Sequence, residues 1–351
     1  MKYSIPHIRL INHRLVEPEF KSPEEVVAWL GAMQSQDYTM AKWAVGRRLP
    51  GCTDRQVEEA LNGGDIIRTH ILRPTWHFVS KNDIRWMLQL TAPRVKKQLE
   101  SYNKMVKISA ANVVKSLAVL EKILANGNYL TKQEIGEHLE VAKVKLAPNQ
   151  VSLVLSYAEV EGLVCSGVVK GRKQTYRLLS ELASGSEKFD RDKALAELAR
   201  RFFVSHAPAT LEDFTWWSGL TITEAKKALE MNKHWLVREE VGGHTYWLAG
   251  DFKGFDVDES TVHLLPNFDE YIVSYKDRGD VFTHGYYDKV INTFGIFKPT
   301  VMVNGQMVGR WKRVAKSKKT TAEVELFVKI SKQVRQQVKQ EVEIYERFAN
   351  S

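Results

Sequence analysis

Three observations on this sequence predict an α+β chain assembled from repeated small units. Runs of apolar residues at helical spacing recur in sets of three, each set closes on a pair of short strand-like segments, and basic residues gather in separate clusters. At 351 residues the chain is too long for one ordinary core, so roughly two to four domains are expected.

The unit is clearest in the middle of the chain. Asn112 to Ala125 carries Val113, Leu117, Leu120 and Leu124 at helical spacing and stops at Asn126-Gly127. Thr131-Lys132-Gln133-Glu134 forms a capping box that opens a short helix through Leu139. Pro148 suits the first turn of a third helix, with Val151, Val154, Leu155 and Ala158 inward. Its other side offers Asn149, Gln150, Ser152 and Ser156 to phosphates or base edges. After Gly162, Leu163 to Leu179 reads as a hairpin whose tip is Lys170-Gly171-Arg172-Lys173. A helix-turn-helix followed by a basic hairpin is the winged-helix pattern, related to the motif that lays one helix in the major groove.

A later copy follows the same order. Ala194 to Phe203 is helical, Thr210 caps a short helix ending near Gly219, and Thr221-Ile222-Thr223-Glu224 is a second capping box. The segments Trp235 to Glu239 and Thr245 to Leu248 flank the turn Gly242-Gly243. The first copy is less regular: Ser22 caps a helix carrying Val26, Val27, Leu30 and Met33, helices follow near Tyr38 to Arg48 and Asp54 to Asn62, and strands bracket Ile71 to Val79. The expected architecture is therefore three tandem winged-helix units at residues 1–108, 109–188 and 189–250, then a C-terminal β-rich α+β part at 251–351. That last part, distinct from about Asp258, holds strands at Val262 to Leu265 and Val301 to Val303, a turn at Asn304-Gly305 and a terminal helix from about Ala322 to Phe348.

The formal net charge is +9, which favours polyanionic partners because phosphate contacts release condensed counterions. Its placement matters more than its size. Arg310, Lys312, Arg313, Lys316, Lys318 and Lys319 fall in a stretch without a carboxylate, as do Lys170, Arg172, Lys173 and Arg177. Arg94, Lys96, Lys97, Lys104 and Lys107 form a third cluster, while acid gathers between Asp251 and Asp280. The hairpin residues Lys170, Arg172 and Lys173, together with Arg310, Lys312 and Arg313, are the expected contacts to double-stranded DNA. Winged helices also serve as protein-interaction modules, in which case these clusters would be incidental.

Other classes recede. No stretch approaches the roughly 18 apolar residues needed to cross a bilayer, so no membrane partner is expected. The N-terminus Met1-Lys2-Tyr3-Ser4 leads into no apolar signal region, and Cys52 and Cys165 form no CxxC pair, so a cytoplasmic, nucleoid-associated setting is expected. There is no GxxxxGK[ST] loop, HExxH helix or GxSxG elbow, and the histidines lack ligand spacing, so neither metal nor cofactor is expected. Asp269 and Glu270, adjacent and so divergent on a strand, read as structural. Trp216, Trp217 and Trp311 read as core.

One short segment stands apart: Met33-Gln34-Ser35-Gln36-Asp37-Tyr38, lying between two apolar helices with Asp37 suited to cap the second. In a non-helical junction Gln34 and Gln36 can point the same way, offering amide donors and acceptors that hold a water against a developing cation. The plainer reading is that both merely tie off helix ends.

The segment Leu30-Gly31-Ala32-Met33-Gln34-Ser35-Gln36-Asp37 resembles the glutamine motif of the AlkZ-like winged-helix DNA glycosylases, with Ser35 where that family has an apolar residue. Leu72-Arg73-Pro74-Thr75-Trp76-His77-Phe78-Val79 resembles the family's Arg-x-Thr-x-His strand. Leu264-Leu265-Pro266-Asn267-Phe268-Asp269-Glu270-Tyr271 and Val303-Asn304-Gly305-Gln306-Met307-Val308-Gly309-Arg310-Trp311 resemble two further segments in family order. The resemblance implies three winged-helix units curved around duplex DNA, a monomer, and excision of N-alkylated purines, crosslink unhooking included, without metal or cofactor. It carries the catalytic pair to Gln34 and Gln36, while Arg73 and His77 are candidates to line the same cleft. The alternative of another class is a non-catalytic winged-helix regulator, dimeric and sequence-selective.

Overall fold

The computed structural model describes residues 2–183, 189–254, 260–282, 285–293, 295–316 and 319–351. The expected junctions at residue 188 and Asp258, and the basic residue Lys318, lie outside the described residues.

In chain order the elements begin with α1 (Ile5–Asn12), α2 (Pro23–Leu30), a two-residue extended piece β1 (Met33–Gln34), α3 (Tyr38–Gly46) and α4 (Asp54–Gly63). Then come β2 (Ile66–His70), β3 (Trp76–Ser80), α5 (Ile84–Val106), α6 (Ala110–Ile123), β4 (Leu130–Thr131), α7 (Lys132–Val141), α8 (Pro148–Val160), β5 (Val164–Ser166) and β6 (Thr175–Leu178). The remainder holds α9 (Arg191–Ser205), α10 (Leu211–Ser218), α11 (Ile222–Asn232), β7 (Leu236–Val241), β8 (His244–Ala249), β9 (Val262–Leu265), α12 (Glu270–Val273), α13 (Tyr287–Val290), β10 (Thr300–Val303), β11 (Gln306–Lys316), β12 (Lys319–Leu326) and α14 (Lys332–Ala349). The mixture of helix and sheet is the expected α+β class. These elements form two compact units: residues 1–59, 195–217 and 221–351 make the first, and 60–194 with 218–220 the second.

In the first unit, β12, β11, β10 and β9 form an antiparallel sheet in that order, with β10 and β11 joined by the Asn304-Gly305 turn. Helix α14 packs on β9 and crosses α3 closely. A Cβ on Gly46 would sit 2.3 Å from the Phe348 ring, so only glycine allows that crossing. Trp43 meets the Tyr345 ring edge to face and the Phe348 ring at a tilt, and donates its indole N–H to the Leu264 carbonyl at 2.8 Å. The deepest polar contact joins Arg48 to Asp269, bidentate at 2.9 and 2.8 Å, with both side chains wholly buried. Arg48 also donates to the carbonyls of His13 and Ala44, and Asp269 accepts the Tyr271 N–H at the start of α12. Each guanidinium nitrogen and both carboxylate oxygens therefore have a partner, which is the condition for burying charge.

In the second unit, α6, α7 and α8 accompany an antiparallel sheet of order β4, β6, β5, with β4 between α6 and α7 and the β5–β6 hairpin after α8. The Thr131 capping box is present: its hydroxyl accepts the Glu134 N–H while the Glu134 carboxylate accepts the Thr131 N–H. The core runs from Val95 and Leu99 of α5 through Leu120, Ile135 and Leu139 to Val151, Val154 and Ala158 of α8. The β2–β3 hairpin and α5 cover the remaining face of α8. There Glu159, fully buried, pairs with the His70 ring at 2.5 Å and accepts the Trp76 indole N–H at 3.1 Å.

On the polar side of α8 Asn149 is exposed and Gln150, Ser152 and Ser156 are half-exposed; the Ser152 and Ser156 hydroxyls donate to carbonyls one turn back, and the Gln150 amide donates to the Val106 carbonyl. Three expectations change. The terminal helix begins at Lys332, capped by Ser331, because Lys319 to Leu326 is a strand. Its Thr320, Ala322, Val324 and Leu326 alternate with exposed or half-exposed polar residues at period two, a signal outweighed in the sequence by good helix formers. The first hairpin's strands end and restart around Ile71 to Thr75 rather than flanking Ile71 to Val79. Trp217 and Trp311 are core, but Trp216 is 42% exposed, with its indole N–H bound to the Val273 carbonyl.

Replacing Asp269 by alanine leaves the Arg48 guanidinium buried without its counter-charge. Unfolding free energy should fall by about 3–5 kcal/mol, measured by urea denaturation; a loss under about 1 kcal/mol would show that Arg48 finds another partner or solvent.

Candidate active site and nucleic-acid contacts

Gln34, Ser35 and Gln36 occupy the non-helical junction between α2 and α3. Gly31, at φ +76°, ends α2, and the Asp37 carboxylate caps α3 by accepting the Met40 N–H at 3.2 Å. Ser35 is wholly buried, Gln34 is half-buried and Gln36 is exposed. The inward position that the resemblance assigns to an apolar residue is thus filled by a small serine, with both glutamines flanking it on the accessible side.

Two residues of the Leu264–Tyr271 segment hold this junction. The Glu270 carboxylate accepts the Gln34 backbone N–H at 2.6 Å, the Trp217 indole N–H at 3.2 Å and the Ser274 hydroxyl at 2.5 Å. Asn267 donates its amide to the other Asp37 oxygen at 3.1 Å. Asp269 and Glu270 do diverge, Asp269 turning to Arg48 and Glu270 to the glutamine junction, but they open helix α12 rather than lying on the expected strand. The sequence did not show where they would go. The available signal was two carboxylates in an otherwise apolar segment, which demand buried partners.

Behind Glu270 lies a fully buried polar cluster. The His206 Nε2 stands 3.8 Å from the Glu270 carboxylate, and the rings of His13 and His206 meet edge to face at 4.7 Å. The Tyr275 hydroxyl contacts His13 Nε2 at 2.7 Å and donates to the His206 carbonyl at 2.7 Å, while the Arg9 guanidinium lies 3.6 Å over the Tyr275 ring. Burial holds the His13 imidazole well below its ordinary pKa, reinforced by the charges of His206, Arg48 and Arg9. Burial also lowers that of His206. His263 is held well below by burial and then by Arg47 and Arg48.

Arg73 and His77 belong to the second unit. Arg73 is half-buried in the turn between β2 and β3, where the backbone doubles back through Arg73 N–H to Ile71 O and Thr75 N–H to Arg73 O. His77 is wholly buried on β3, with Nδ1 2.9 Å from the Thr75 carbonyl.

The six expected DNA contacts fall into two groups. Lys170, Arg172 and Lys173 stand exposed at the β5–β6 tip, where Lys170 and Lys173 exchange backbone hydrogen bonds of 3.0 Å across Gly171. Lys170 also approaches Glu134 at 3.3 Å, an exposed pair of little strength. On β11, Arg310 pairs with Glu325 at 2.7 Å and Lys312 with Glu323 at 2.8 Å, while Arg313 faces Ala322 in register. The stretch without carboxylates in sequence is therefore partly neutralised across the ladder, which sequence order conceals.

A family model described as DNA glycosylase AlkZ-like matches residues 27–348. The class of protein is a DNA glycosylase, a DNA-binding enzyme of DNA repair. The chain belongs to the AlkZ-like DNA glycosylase family. Its fold is similar to the solved structure of Streptomyces sahachiroi DNA glycosylase AlkZ, with a TM-score of 0.79 at 20% identity, over 99% of this chain and 97% of that one. No curated protein matches the sequence. Among the described residues, no helix is long and apolar enough to cross a membrane.

Two outcomes follow from this geometry. His13, His206 and His263 stay neutral when folded but take up protons near pH 6.5 when unfolded, so the unfolded state binds more protons and stability drops as pH falls below about 6.5. Each contributes up to about 1.4 kcal/mol per pH unit. Unfolding midpoints measured between pH 7.5 and 5.5 should change little down to about pH 6.5 and decline below it; a flat profile would show that these imidazoles remain accessible to protons. Separately, replacing Lys170, Arg172 and Lys173 by alanine should weaken duplex binding and reduce the slope of log affinity against log salt by up to about 3. An unchanged slope would remove this hairpin from the DNA backbone.

Proposed function

We propose that this enzyme is a monofunctional glycosylase for N-alkylated purines in double-stranded DNA, with Gln34 and Gln36 as its catalytic pair. The observation that carries the reading is the glutamine junction itself: two neutral amides flank a fully buried Ser35 on a backbone fixed by Glu270 at one end and Asp37 at the other. In this reading the chain acts as a monomer in the cytoplasm, on the nucleoid. Three winged-helix units at 1–108, 109–188 and 189–250, followed by the 251–351 part, carry it on the duplex. Lys170, Arg172, Lys173 and Arg313 contact phosphates, joined by Arg310 and Lys312 where DNA displaces their carboxylate partners.

The chemistry suits amides. A purine alkylated at N7 or N3 is cationic, so breaking the N-glycosidic bond sends the bonding electrons to a base that becomes neutral, and no acid is required. What remains is an oxocarbenium-like sugar, which carbonyl dipoles stabilise, and a water that must be placed at C1′. Water adds there, loses a proton to solvent and leaves an abasic sugar. A purine tethered through its alkyl group to the opposite strand has the same leaving group, which extends the proposal to crosslinks. An ordinary base is a poor leaving group and is spared.

Gln34→Ala and Gln36→Ala should each lower single-turnover release of N7-methylguanine while leaving duplex affinity nearly unchanged, since both amides act on species present only around bond breaking. Loss of one preorganised dipole costs on the order of a hundred- to a thousandfold in rate, less if the cationic base departs readily alone. Gln36→Asp should be milder, because it keeps an oxygen for water and adds charge near the cation. Wild-type rates in both alanine variants would leave the glutamines as helix-end ties. Tight binding without release even by wild type would favour a non-catalytic DNA binder.

A further inference from the structure

We propose that Glu270 and Asn267 are positioning residues of the glycosylase reaction, setting the two ends of the glutamine junction; the inference rests on Gln34 and Gln36 being the catalytic pair. Nothing in either side chain needs to touch DNA. Glu270 is 1% exposed and spends one carboxylate oxygen on the Gln34 backbone N–H at 2.6 Å, the length of a charge-assisted bond. Its other oxygen is pinned by two rigidly held donors, the fully buried Trp217 indole and the Ser274 hydroxyl. The carboxylate therefore cannot follow the junction if the junction shifts; the junction must follow the carboxylate.

At the far end, Asn267 binds one Asp37 oxygen while the other caps α3. Asp37 is thereby fixed between a helix terminus and the Leu264–Tyr271 segment. That segment is itself immobilised by the Arg48–Asp269 pair and by the Trp43 and Trp311 indoles, which bind the Leu264 and Leu265 carbonyls at 2.8 Å. Residues more than 200 positions away in sequence thus hold Gln34 and Gln36 between two fixed points. Only a junction held this way keeps two flexible amides within the fraction of an ångström that a placed water and a developing cation require.

The test is a double-mutant cycle on the full chain, read as the maximal single-turnover rate of N7-methylguanine release, with duplex affinity and thermal unfolding measured alongside. Glu270→Gln preserves volume but must turn an NH₂ toward either the Gln34 or the Trp217 N–H. It is expected to slow release by roughly ten- to a hundredfold with affinity unchanged. In a Gln34→Ala background the same change should cost little more, because the amide it positions is gone. Asn267→Ala should slow release to a lesser degree and show the same non-additivity with Gln36→Ala; it decides the matter if Glu270→Gln does not fold. Equal losses in the presence and absence of the glutamine would overturn the positioning role and leave Glu270 a stability residue. A full rate in Gln34→Ala and Gln36→Ala would instead overturn the catalytic reading, and this inference with it.

Discussion

A buried carboxylate has to be satisfied at its own oxygens, and in this molecule two adjacent ones are. Asp269 and Glu270 sit side by side at the start of a four-residue helix with about 1% exposure each. Had either lacked partners, burial would have cost more than the surrounding core could return. Arg48 answers Asp269, and three donors answer Glu270. Satisfying those two side chains fixes α3, α10, α12 and the junction before α3 in one arrangement, which explains why so much of the first unit's polar interior converges there.

The same constraint links stability to chemistry. His13, His206 and Tyr275 fill the space behind Glu270 and stay neutral chiefly because burial penalises their charged forms; the charges of Arg48 and Arg9 further oppose protonation of the two imidazoles. Protonating that cluster would disturb the wall against which Glu270 rests. Catalysis by neutral amides suits such a setting. A carboxylate nucleophile or a general acid would need its own tuned pKa, whereas a glutamine carbonyl keeps its dipole across the working pH range.

What the sequence revealed was local. Thr131 and Thr221 cap their helices with the reciprocal glutamate bonds that the spacing implied, Asp37 caps α3, and the Gly242-Gly243 and Lys170–Lys173 turns join the strands expected of them. The glutamine segment stood out because two amides between apolar helices serve no packing purpose. Long-range pairing was illegible. No spacing rule connects Gln34 with Glu270 or Asp37 with Asn267, and the basic stretch after Gly309 hid the carboxylates that β12 brings beside it. Ala322 to Leu326 reads as the start of the terminal helix because alanine, glutamate and leucine are good helix formers, and only the partner strand selects the extended state.

The family fixes the class of reaction, and the leaving group decides between cation-dependent and general base excision. The most direct measurement is single-turnover base release from two duplexes of one sequence, one carrying N7-methylguanine and the other neutral hypoxanthine at the same position. On the proposed reading, in which Gln34 and Gln36 act and the departing base receives no proton, the cationic base should be released and the neutral one left in place. Comparable release of both bases would mean that this enzyme supplies a proton to the leaving group, and the role assigned to Gln34 and Gln36 would have to be given up.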